Sequence, residues 1–209
     1  MGVNCCNSAS NCDTTRTSTR YRKILWVALV VNLSMFGVEI IAGMRAGSVS
    51  LLADSLDFLG DAANYGISLA VLGMSLTLRA RASLFKALSM LVFGVGVLIA
   101  AIWHLLSGQV PDAPTMGVVG SLALLANVGV AALLYAYREG DSNMRSVWLC
   151  SRNDALGNIA VLLAALGVFG TGSAWPDLLV ASIMAGLAVT ASYQVMRHAR
   201  QELAAEAAA

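Results

Sequence analysis

Six stretches of the chain are apolar over a length that spans a hydrocarbon core of ~30 Å, which takes roughly 20 helical residues. They run from about Ile24 to Met44, Val49 to Leu76, Leu84 to Leu106, Met116 to Ala136, Val147 to Phe169 and Leu178 to Met196. Polar or turn-forming breaks separate them: Arg45-Ala46-Gly47, Arg79 to Arg81, Ser107 to Pro114, Arg138 to Arg145 and Gly170 to Pro176. In the bilayer every backbone amide needs an internal partner, so such stretches are read as helices. The short breaks predict sequential helices that run antiparallel to their neighbours. The expected fold class is an all-α polytopic membrane protein with six transmembrane helices.

The positions of lysine and arginine orient the helices. Arg16, Arg20, Arg22 and Lys23 flank the first stretch. Arg79, Arg81 and Lys86 lie between the second and third, Arg138 and Arg145 between the fourth and fifth, and Arg197 and Arg200 after the sixth. With six spans these eleven of the thirteen basic residues share one side, and Arg45 stands alone on the other. Arg152 falls inside the fifth span. The positive-inside rule then predicts cytosolic N- and C-termini. An odd number of spans would destroy the asymmetry.

Composition agrees with this reading. The 209 residues are 58% hydrophobic and 12% charged, with mean hydropathy +0.73, where soluble domains carry about 25% charge. The net charge of +1 and the lack of a basic patch with interleaved aromatics exclude a nucleic-acid partner. The first twenty residues hold no apolar run of the kind a signal peptide needs. Residues 1–20 are expected to form a disordered cytosolic tail, 21–200 the transmembrane domain and 201–209 a short cytosolic tail. Cys5, Cys6 and Cys12 crowd that first tail, a spacing unlike a disulfide framework and suited to a reducing compartment. They are candidates for capturing a soft metal ion.

The second and fifth stretches are not uniformly apolar. The second carries Asp54, Asp57, Asp61 and Asn64, all on one helical stripe. The fifth carries Cys150, Asp154 and Asn158 on another, with Arg152 and Asn153 between them. Residues four apart on a helix point the same way, one turn apart. Ionisable groups at membrane depth are costly and mark ion pathways. Two such pairs on facing helices, Asp57 with Asp61 and Cys150 with Asp154, supply four ligands for a tetrahedral ion. A thiolate among three carboxylates favours zinc or cadmium, and admits cobalt or iron(II), over magnesium and calcium.

Other polar residues take supporting roles in this reading. Asp54 is a candidate ion-pair partner of Arg152 across the helices, an accessory ligand or a proton-relay group. Glu39 in the first stretch is a candidate proton carrier. Asn64 and Asn158 suit hydrogen bonds across helices or to ligating carboxylates. His104 reads as an interfacial side chain. Two other functions fit parts of the pattern. One is an intramembrane enzyme using Asp61 and Asp154 as acid and base. The other is a proton-coupled carrier of organic cations, which would want an aromatic-lined cavity; only 7% of residues are aromatic. No Gly-rich phosphate loop is present, so nucleotide hydrolysis is not the expected energy source.

The run from Ala46 to Asp61, AGSVSLLADSLDFLGD, resembles the second transmembrane helix of the cation diffusion facilitator family. Ser151-Arg152-Asn153-Asp154-Ala155 and the helix after it are similar to that family's fifth. The resemblance covers residues 21–200. It implies a six-helix exporter, usually a homodimer, that exchanges a divalent cation such as zinc or cadmium for protons. It puts Asp57, Asp61, Cys150 and Asp154 at the ligand positions. Members commonly have His or Asp where this chain has Cys150, which bears on metal preference. Most also carry a cytosolic metal-binding domain after the sixth helix, whereas only nine residues follow Arg200 here. No resident cofactor is expected, since the metal is cargo. A bacterial inner membrane is the expected location.

Overall fold

The computed structural model describes the backbone of residues 6–70, 76–137 and 142–207. Side chains are described from Thr19 onward, leaving out 71–80, 137–150 and scattered positions that include Arg152 and Asn153. Six α-helices are found among the described residues: α1 Cys6–Ala46, α2 Val49–Ala70, α3 Leu76–Ser107, α4 Ala113–Leu134, α5 Ser142–Thr171 and α6 Trp175–Ala207. A short 3₁₀ turn, Tyr135–Tyr137, follows α4. Each of the six predicted stretches is helical over most of its described residues, and most helices run on past the apolar segment. The first begins at Cys6, inside the segment expected to be a tail.

The connections at the end remote from the termini follow from local chemistry. Gly47 sits at φ 63°, a left-handed conformation that side-chain-bearing residues rarely adopt, and it closes α1. Asp112 caps α4: its carboxylate accepts from the Thr115 amide at 3.0 Å and from the Thr115 hydroxyl. Pro114 follows in the first turn, where no amide proton is needed. These bonds hold the exposed Asp112 carboxyl below the usual carboxylate range. The Asp112 amide in turn donates to the Ala46 carbonyl at 2.9 Å, tying the α3–α4 connection to the end of α1.

Five helices are long and apolar enough to cross a membrane by length and composition alone, all but α2. The second helix has the length, 22 residues, but carries three aspartates. Packing explains how it can. Its residues enter all three apolar clusters: Val49, Ala53 and Leu56 pack with α3 and α6; Tyr65 packs with α1 and α4; Leu51 packs with α4 and α5. It thus packs against all five other helices, and Asp54 and Asp61 of its polar stripe are buried. The outer helices show the opposite pattern, with large apolar side chains such as Trp103, Leu106 and Phe169 mostly exposed, as a hydrocarbon solvent requires.

The approach of α1 to α2 is close at Gly43. A Cβ there would lie 3.0 Å from the Leu52 side chain and 3.2 Å from its backbone nitrogen. One turn before Gly43 on the same face is Glu39, and the close approach turns it into the α1–α2 contact.

Candidate cation site

Glu39 and Asp54 are both fully buried, at 0% exposure. Asp54 is the strongest electrostatic partner of Glu39 and Asp57 the next. The two carboxyls face each other, yet none of their four oxygens has a hydrogen-bond donor among the described residues. A buried carboxylate without a donor is costly, and two facing each other cannot both stay charged without a proton or a cation between them. The predicted partner of Asp54, Arg152, has a side chain outside the described residues, as does Asn153.

One turn toward the termini-bearing end lies Asp57, partly buried, and one further turn on is Asp61, buried. Asp61 Oδ2 accepts a 2.6 Å hydrogen bond from the Tyr65 hydroxyl. The same hydroxyl lies 2.7 Å from the Ser151 hydroxyl on α5. Three residues further along α5 is Asp154, partly buried, whose strongest electrostatic partner is Asp61, ahead of Asp57 and Asp54. The acidic stripe of α2 and the Asp154 face of α5 are therefore turned toward each other. Asn158 is fully buried one turn beyond Asp154. Its amide donates to the Asp154 carbonyl at 2.9 Å, and its Oδ1 has no partner among the described residues. It thus bonds backbone rather than a ligating carboxylate.

Cys150 lies on α5, but its side chain is outside the described residues, as are those of Cys6 and Cys12; Cys5 lies outside them altogether. Among the described residues no three His, Cys, Asp or Glu side chains are gathered closely enough to hold a metal ion. His104 sits near Gly47 at the end remote from the termini, away from the acidic stripe.

Residues 25–204 match the cation efflux transmembrane domain. The chain belongs to the cation efflux family. No curated protein matches it. As a member of this transporter family it is a multi-pass membrane protein that moves cations outward.

Three features of the domain were not legible as such in the sequence. Tyr65 falls on the stripe of Asp57 and Asp61 at the same spacing of four, so extending that stripe by one turn finds it. Ser151 is a small hydroxyl beside more conspicuous residues and gives no signal. Asp177 stands in the first turn of α6, where a carboxylate ordinarily serves its own helix's amides. It instead accepts from the Ser48 hydroxyl (2.8 Å), the Val49 amide (2.8 Å), the Ser50 amide (3.1 Å) and the Ser50 hydroxyl (2.6 Å). The carboxylate of α6 thus caps the start of α2, where free amides and the helix dipole favour a negative charge.

Proposed function

We propose that this protein exports a divalent transition-metal ion of the zinc–cadmium class in exchange for protons, with Asp57, Asp61, Cys150 and Asp154 as its ligands. The observation that carries the reading is the facing of Asp61 and Asp154 across the α2–α5 contact, with Asp57 one turn away, inside a domain whose family moves cations. Cys150 is one turn before Asp154 on α5. Its thiolate would add the soft donor that separates zinc and cadmium from magnesium and calcium.

Exchange follows from competition. Carboxylates and a thiolate bind metal only when deprotonated, so each loading event releases protons and each reprotonation weakens the metal. With both termini in the cytosol, as the basic residues indicate, metal loads from the cytosolic side. The bundle then opens to the other side, and protons entering there displace the ion. Glu39 and Asp54 lie on that far side of the ligands. Their unpartnered carboxyls suit a proton held between them, carried in as metal leaves. The N-terminal cysteines would deliver a soft ion to it, and family resemblance points to a homodimer in a plasma membrane.

The test is zinc and cadmium uptake into inverted vesicles driven by an imposed pH gradient. Asp57→Ala should reduce uptake to the level of empty vesicles while the protein remains folded. Uptake equal to wild type would remove Asp57 from the ligand set. Cys150→His should keep transport and change the zinc-to-cadmium ratio; an unchanged ratio means the sulfur does not touch the ion.

A further inference from the structure

Tyr65 belongs to no ligand pair, yet it occupies the position where the cytosolic route to the acidic stripe would run. The second helix runs from the far side toward the cytosol, so Tyr65 is one turn on the cytosolic side of Asp61. The fifth runs the other way, so Ser151 is on the cytosolic side of Asp154. Both residues are fully buried. The tyrosine ring is packed among Leu25 and Ala28 of α1 and Val130 and Leu134 of α4. Its hydroxyl reaches past α2's own face to Ser151 while donating to Asp61 Oδ2. One side chain therefore links α2 to the three helices α1, α4 and α5.

We propose that Tyr65 is a bolt on the cytosolic side of the cation site, closed when its hydroxyl joins Asp61 to Ser151. This rests on the orientation and ligand set proposed above. The bolt and the cargo share an oxygen. A cation that coordinates Asp61 through Oδ2 competes with the tyrosine hydroxyl for that oxygen's lone pairs, and weakening that bond loosens α2 from α5. Loading and opening become one event, and a proton on Asp61 does not substitute for it, because a protonated carboxyl still accepts the bond. The ring fills space that Phe fills equally well, so Tyr65→Phe removes the bolt and leaves the packing.

Two measurements test this. The first reads access alone. Asn158→Cys, in a chain whose Cys5, Cys6, Cys12 and Cys150 are changed to Ser, places a thiol beyond Asp154 as seen from the cytosol. A small membrane-impermeant thiol reagent is added to inverted vesicles. Adding Tyr65→Phe should raise the labelling rate about tenfold, the shift in an opening equilibrium expected from losing one strong hydrogen bond. Ser151→Ala should raise it too, and the two together no more than the larger alone, because they break one link. The second uses the chain with its own cysteines: Tyr65→Phe should let zinc cross down its gradient without an imposed pH difference. A hydroxyl that merely orients Asp61 predicts lower zinc transport and unchanged labelling; unchanged labelling, or unchanged downhill flux in a chain whose wild type does transport zinc, overturns the bolt. If labelling rises but the wild type moves no divalent metal, the bolt stands and the export reading falls. If the wild type exports zinc and neither measurement moves, the reverse holds.

Discussion

Asp177 and Asp54 are both carboxylates with no exposed surface, and both bear on α2. Asp177 accepts four hydrogen bonds from Ser48, Val49 and Ser50. Asp54 accepts none among the described residues, and neither does its neighbour Glu39. The same functional group is architecture at one end of the helix and unfinished business in its middle. A fully satisfied buried charge fixes the helices around it. An unsatisfied one leaves its lone pairs open, which is what the proposed exchange of an ion for protons requires. Burial of acid thus says little here until its donors are counted.

The largest effect on stability should come from Asp177→Ala. It strands two amides and two hydroxyls at the start of α2, a loss of about 3–5 kcal/mol, read as a lower thermal midpoint and aggregation in detergent. Wild-type stability would show that the cap is ornamental and break the contrast. Glu39→Gln should do the opposite. It leaves a side chain of the same size and hydrogen-bonding capacity facing Asp54, so stability should stay within about 1 kcal/mol of wild type, while zinc uptake loses its dependence on the imposed pH gradient. A steep dependence that survives both Glu39→Gln and Asp54→Asn would take the pair out of proton exchange.

The smallest effect belongs to Asp112, a satisfied carboxylate at the surface. Asp112→Ala should lower the thermal midpoint slightly at neutral pH. Because the folded-state pKa is depressed by the Thr115 bonds, the stabilisation is present above the ordinary carboxylate range. It is lost as pH falls through the lowered value. The two proteins should therefore melt together in strong acid; a gap that persists there would mean that the cap does not act through its charge.

Much of this architecture is legible in the sequence, because lipid is a strict solvent. Apolar length gave the helices, and Gly47 and Pro114 gave breaks, since each acts through its own backbone. The stripe of Asp54, Asp57 and Asp61 was visible because helical spacing is local. What was hidden depends on a second helix. Nothing near Ser151 announces that a tyrosine arrives from 86 residues away, and nothing near Asp177 shows that its donors sit 127 to 129 residues earlier.

The encirclement of α2 also bears on how the protein is made. Aspartate at the centre of a span costs about 2.5–3.5 kcal/mol on the insertion scale, and this helix has three such residues, so it is a poor candidate to enter the bilayer alone. It has a ready escort in α1, which is apolar enough to insert by itself and meets α2 closely at Gly43. Biogenesis should therefore release the first two helices from the translocation machinery as a hairpin, with the remaining four assembling around a pair already threaded through the lipid.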